Sequence, residues 1–185
     1  MMERLKKYLE FAFYLNIGIF MLFKFGFKNV WLDAISYSVT ITSFICASYC
    51  TFVWRCNPLE KYPKLNKKYK GIIKTEAYGE RDIEVEIKHN LIYTHIKMKS
   101  KESTSKSQAF NIYQDGEDWA LVYTYINEPK MLERGHSDIH YGTCVLEITD
   151  KDRLIGKYYT DRKTVGEIEL ISANSKEMIK EKSKI

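Results

Sequence analysis

The sequence predicts a membrane α-helical hairpin followed by an all-β domain, a small eight-stranded antiparallel β-barrel. Three observations predict it. Residues 34–54 run AISYSVTITSFICASYCTFVW without a charge, and at about 1.5 Å per helical residue that length crosses a hydrocarbon core of roughly 30 Å. The preceding residues 11–27 are apolar and aromatic, broken only by Asn16 and Lys24. From Tyr69 onward the apolar period changes from helical to two, and each short run ends in turn residues.

The first ten residues, MMERLKKYLE, form a basic, amphipathic start to the first helix. Lys24 lies near the end of the first span, so its ammonium can snorkel to the headgroups while its methylenes stay in lipid. Lys28, Asn29 and Asp33 then make a short polar turn before the second span. Arg4, Lys6 and Lys7 flank the hairpin's start, and Arg55, Lys61, Lys64, Lys67, Lys68 and Lys70 follow its end. By the positive-inside rule both flanks are cytoplasmic, which makes the chain a multi-pass membrane protein with its N-terminus and β-domain in the cytoplasm. A cleaved signal peptide and a buried hairpin of a soluble protein are the competing readings. The second span and the lack of a small-residue cleavage site argue against the one, and the uncharged length argues against the other. Pro58 and Pro63 break any continuing helix, leaving residues 55–68 as a juxtamembrane linker behind a hairpin of residues 1–54.

The strands follow in order. Tyr69–Thr75 is the first. In the second, Ile83, Val85 and Ile87 alternate with Glu84, Glu86 and Lys88, a half-buried pattern. His89-Asn90 reads as a tight turn, and the third strand returns over Leu91–Met98 with Ile92, Thr94, Ile96 and Met98 on one face. The polar Ser100–Ser107 leads through Ala109 to Tyr113, and Asp115-Gly116 turns the chain. Trp119–Asn127, Asp138–Thr149, Leu154–Thr160 and Thr164–Ile171 complete the set. The barrel thus spans residues 69–174, and a charged tail, residues 175–185, returns to a helical period. Eight strands with short turns can close into a barrel whose interior is filled or holds one small ligand; a two-sheet sandwich is the alternative.

The net charge of +5 would suit a nucleic-acid binder, but its distribution does not. Residues 55–74 carry 7 basic and 1 acidic side chains, whereas residues 75–175 carry 13 basic and 18 acidic. The basic excess sits where anionic lipid headgroups would meet it, and the acidic β-domain excludes a broad grip on a nucleic acid polymer. Cys46, Cys50, Cys56 and Cys144 have no metal-ligand spacing, and no metal or cofactor is expected. There is no Ser-His-Asp set at workable positions, no phosphate-cradling glycine loop and no inward pair of carboxylates, so no catalytic residues are assigned.

Strand parity supplies an inner face. Leu146 and Ile148 point inward, and His140, Gly142 and Cys144 share their parity. Leu154 and Gly156 carry Tyr158, Thr160 and Arg162 with them; Gly166, Ile168 and Leu170 face in from the last strand. Ser103, Ser105, Ser107 and Ala109 share a face of the fourth strand. The fifth is apolar on both faces, with Tyr123, Tyr125 and Asn127 as its polar handles. The interior is therefore aliphatic toward one end and polar toward the other. Unpaired buried polar groups cost about 1–3 kcal/mol each, so a polar end points to water or a ligand. The candidate ligand-binding residues are Ser105, Ser107, Tyr123, Tyr125, Asn127, His140, Tyr158, Thr160 and Arg162.

The order of motifs is two spans, then Ser103-Thr-Ser105-Lys-Ser107, Tyr123-x-Tyr125-x-Asn127-x-Pro129, His140-x-Gly142, Leu154-x-Gly156-x-Tyr158-Tyr159-Thr160-x-Arg162, and Gly166. It resembles the two-transmembrane, β-barrel effectors associated with CD-NTases in bacterial CBASS antiphage systems; Tyr69 departs from the tryptophan expected near the barrel start. The resemblance implies a non-enzymatic effector that senses a cyclic dinucleotide made by a partner CD-NTase synthase. It implies ligand-induced homo-oligomerisation of the hairpins in the bacterial inner membrane, contact with membrane lipids, and loss of membrane integrity. Within it, Tyr125 and Tyr158 would stack on bases and Arg162 would pair with a phosphate. Ser105, Ser107, Asn127, His140 and Thr160 would read base edges or the ribose-phosphate ring. A membrane-tethered, lipocalin-like carrier of a hydrophobic ligand is the alternative, and it predicts an apolar cavity.

Overall fold

The computed structural model describes residues 2–28, 30–75, 79–135 and 137–175. Asn29 of the expected polar turn and the expected helical tail beyond Ser175 lie outside them. The chain divides into two compact units: a helical one, which also takes in Asn90–Ile92, and a β one formed by the rest of the chain from Tyr62 onward.

In the helical unit α1 (Met2–Met21) continues as a π-helical turn, Leu22–Gly26, and α2 (Trp31–Thr51) returns antiparallel to it. The second helix thus starts three residues before the uncharged run, with Asp33 in its first turn, where a carboxylate suits the helix N-terminus. Ala34, Ser38 and Thr42 recur every fourth residue and are buried, small enough to let α1 approach closely. The amide of Asn16, the polar interruption of the first span, donates to Thr42 Oγ1 at 3.3 Å. Ring pairs Phe23–Tyr37 at 5.2 Å and Tyr8–Tyr49 at 6.1 Å bracket this seam. The Lys24 ammonium lies 4.5 Å from the Trp31 ring centroid, a cation–π contact. The opposite faces carry exposed Phe11, Phe13, Leu22, Leu32 and Phe44. Among the described residues one helical segment, Lys6–Gly26, is long and apolar enough to cross a membrane. The Ser and Thr residues that pack α2 also lower its hydropathy.

The β unit is a closed barrel in which each strand pairs antiparallel with the next and the first with the last. The strands are β1 (Lys68–Thr75), β2 (Gly79–His89), β3 (Thr94–Ser100), β4 (Ser103–Asp115), β5 (Asp118–Pro129), β6 (His140–Ile148), β7 (Arg153–Thr160) and β8 (Val165–Ser172). Closure leaves no edge strand, and the shortest seam is that between β3 and β4. Many outward residues are charged and matched across strands, as in Lys74–Glu80 and Arg153–Glu169, among exposed apolar ones such as Tyr141, Ile155 and Val165.

Two local expectations are corrected. The turn before β3 is longer than His89-Asn90: the Asn90 side-chain oxygen accepts from the Ile92 N–H, an Asx turn that delays pairing to Thr94. Ile92 is consequently exposed and Leu91 buried. In β4 the register shifts between Ser107 and Ala109, a bulge at Gln108. One extra residue reverses parity beyond it, so Ala109 faces out and Phe110 and Ile112 turn inward.

One end of the barrel is filled. Leu121, Leu146, Leu154, Ile168 and Leu170 are buried there, together with Leu65 and Tyr69. Residues 62–66, within the expected linker, pack onto this end. Tyr62 sits edge-on to Trp119 at 5.9 Å. The Pro63 carbonyl accepts from His89 Nε2 at 2.9 Å, and His89 Nδ1 lies 2.9 Å from the Thr94 hydroxyl. The Asn66 amide donates to Lys151 O and Asp152 Oδ1, while the Tyr69 hydroxyl donates to Lys151 O at 2.7 Å.

Candidate ligand-binding cavity

At the other end the interior opens into a cavity of about 390 Å³, a volume typical of small-molecule sites. Its walls are the last inward residues of each strand before the loops that join β1 to β2, β3 to β4, β5 to β6 and β7 to β8. Register brings these residues into layers. Ser105 faces Asn127 and Asn127 faces His140; Tyr125 faces Gly142 and Gly142 faces Thr160. Deeper, Cys144 faces Tyr158, Tyr158 faces Gly166 and Gly166 faces Thr75.

The two tyrosines lie across glycines because only glycine leaves room. A Cβ on Gly142 would come within 2.4 Å of the Tyr125 Cζ and hydroxyl oxygen; one on Gly166 would come within 2.7 Å of Tyr158 Cε1. Each ring thus packs close against a glycine of the wall, and both residues line the cavity. The Tyr158 phenol is fixed by Thr75 Oγ1 at 2.6 Å. The Tyr125 hydroxyl has no hydrogen-bond partner among the described residues. Its pKa is raised, chiefly by burial and then by the neighbouring Cys144, Tyr158 and Asp161, so at neutral pH it is a phenol that can donate.

The polar rim is organised by short hydrogen bonds. Ser105 Oγ donates to Asn127 Oδ1 at 2.8 Å, leaving the Asn127 amide hydrogens to face inward groups. Arg162, in the turn after β7, donates through Nη1 to Ser137 Oγ at 2.9 Å and lies 3.3 Å from His140 Nδ1. That nitrogen also lies 3.0 Å from the Asp138 carbonyl. It can donate to the carbonyl or accept from the guanidinium, not both, so the two contacts belong to two tautomers.

Seven of the nine sequence-derived candidates therefore share this cavity: Ser105, Tyr125, Asn127, His140, Tyr158, Thr160 and Arg162. Ser107 and Tyr123 do not line it. β3 and β4 pair over only three positions, and Ser107 Oγ continues the seam by accepting the Ile96 N–H at 2.9 Å. Tyr123 lies one layer too deep, fully buried and hydrogen-bonded to Cys144, and burial pushes its phenol well above the usual range. Burial likewise pushes the Cys144 thiol up to about 12.

Sequence reasoning missed Thr75, Arg81, Glu102, Glu133 and Ser137, which also line the cavity. Arg81 carries the parity of Ile83, Val85 and Ile87 and could have been found by extending it one step; Thr75 shares the parity of Gly71 and Ile73. Glu102 and Ser137 sit in loops and Glu133 in a single 3-10 turn, Met131–Glu133, where no strand period points inward.

A polar-mouthed barrel of this kind matches the sequence profile of "Cap15, cyclic dinucleotide receptor domain" over residues 60–171. The chain belongs to the Cap15 cyclic dinucleotide receptor family. The matched residues run from the Tyr62 segment to the end of β8, so the domain shared with the family is the barrel itself. The chain is also similar to CD-NTase-associated protein 15 of Staphylococcus schleiferi, 34% identical over 146 residues, 76% of this chain and 79% of that protein. The family is one of receptors, not of enzymes.

Proposed function

We propose that the barrel binds a cyclic dinucleotide in its open cavity and that the chain is the effector of a CBASS antiphage system. The observation that carries this reading is the cavity mouth itself. Two tyrosines pack close over Gly142 and Gly166, an arginine stands at the rim, and amide and hydroxyl groups line the same cavity. Nucleobases stack on such rings, a phosphodiester pairs with the Arg162 guanidinium, and Asn127, His140, Thr160 and Ser105 match base and ribose edges. This polar lining weighs against a carrier of hydrophobic ligands.

In the same proposal the hairpin lies in the bacterial inner membrane with both flanks cytoplasmic. Ligand binding drives self-association of the chain, the bilayer is disrupted, and the infected cell dies. The exposed apolar faces of α1 and α2 support a lipid setting, and the Ala34–Ser38–Thr42 seam supports close helix packing. The partner enzyme is a CD-NTase synthase that makes the ligand.

The test is titration calorimetry of the full chain in detergent micelles against a panel of cyclic dinucleotides, with linear dinucleotides as controls. Saturable binding of one cyclic species is expected, and Arg162→Ala weakens it about tenfold or more. Failure of every cyclic species to bind overturns the receptor reading. Dye release from vesicles of inner-membrane lipid composition, with and without the ligand, tests the membrane step.

A further inference from the structure

The cavity holds a second guanidinium. Arg81 continues the inward face of β2 and lines the cavity from the side away from Arg162, three strands round the wall through β1 and β8. It is engaged by the Glu102 carboxylate from the β3–β4 turn. A carboxylate is an odd group in a site read as accepting a dianion. Its place is explained if it stands where an anion is to go: carboxylate and phosphate oxygens present the same paired acceptors to a guanidinium fork.

We propose that Arg81 is the second phosphate-binding residue of the cavity, and that Glu102 occupies its guanidinium until a phosphodiester of the ligand displaces it. The inference rests on the cyclic dinucleotide reading, and deepens it: a cyclic dinucleotide carries two phosphodiesters, and the cavity supplies one arginine for each. The exchange is physically easy. The Arg81 and Glu102 side chains are 40% and 45% exposed, and ion pairs at such exposure are weak and screened by salt. Glu102 does not need Arg81 to stay in place. Its carbonyl accepts the Lys130 N–H at 2.9 Å, and Ser100 Oγ accepts the N–H groups of Glu102 and Ser103. The turn stays folded when the carboxylate swings out to water. Glu102 therefore acts as a competitor built into the site, raising the ligand concentration needed for occupancy and rejecting ligands with only one phosphate.

The experiment is a double-mutant cycle on the full chain in detergent micelles, using calorimetry with the panel of cyclic dinucleotides. Arg81→Gln is expected to weaken binding about tenfold or more and to shallow its salt dependence by about one charge. Glu102→Gln is expected to tighten binding about three- to tenfold, but only while Arg81 is present; in the Arg81→Gln background it has no effect. The second condition is one that a merely structural turn residue would not meet. Wild-type binding that Arg81→Gln leaves unchanged, or tightening by Glu102→Gln of equal size in both backgrounds, overturns the inference and leaves the receptor reading intact. No binding of any cyclic dinucleotide to the wild-type chain overturns both.

Discussion

The filled and open halves of the barrel are made from the same strands and the same inward parity. Along β6 the inward residues run Ile148, Leu146, Cys144, Gly142, His140; along β7 they run Leu154, Gly156, Tyr158, Thr160; along β2, Ile87, Val85, Ile83, Arg81. Each series begins in close-packed aliphatic core and ends in a polar wall. Alternation decides which side of the sheet a residue faces, but distance along the barrel axis decides whether it supports the fold or lines the cavity.

Leu146→Ala should break the filled half. The residue is 1% exposed, and a truncation of this kind costs about 2–5 kcal/mol. Urea unfolding followed by circular dichroism should show that loss, while the fraction still folded binds ligand with unchanged affinity. Gly142→Ala acts at the boundary and should damage both properties. Its methyl displaces the Tyr125 ring, with a stability loss of about 1–3 kcal/mol and at least tenfold weaker binding by calorimetry. Ser107→Ala sharpens the division on a residue that sequence reading placed with the ligand. It orphans the Ile96 N–H at the β3–β4 seam, costing about 1 kcal/mol, and leaves affinity within about twofold.

The smallest effect near neutrality is that of pH. Cys144 is held protonated to about 12 by burial, and Tyr123 and Tyr125 are raised as well. In the unfolded chain these groups lose protons from about pH 9 to 10. The folded state therefore keeps protons that the unfolded state has released. Their contribution to stability is complete below about pH 8 and falls as pH rises through 9 toward 12. Urea midpoints flat from pH 6 to 8 and declining above 9 are the expected result. A rise above 9 would contradict the burial of this trio.

The number and order of the strands were legible because turn residues and period-two alternation are local signals. Parity in β6, β7 and β8 carried His140, Tyr158 and Thr160 to the right face. It failed past Gln108, because a bulge adds a residue without any distinct composition, and Ala109 and Phe110 exchanged sides. It could not rank depth, so Tyr123 was grouped with Tyr125 although one lies in core and the other against the cavity. Glu102, Glu133 and Ser137 escaped because residues outside the strands have no strand period; only closure of the barrel brings them to its mouth.

The stopper formed by Tyr62, Leu65 and Tyr69 makes the barrel a blind tube. In the proposed reading a guest enters and leaves by the open mouth, since among the described residues the other end is filled. The part of the guest that enters last remains nearest the solvent. A tether attached there would trail outside without a clash, whereas a tether on the leading edge would have nowhere to go. Immobilised ligands linked at different atoms would therefore report, by retention alone, which end of the molecule enters first.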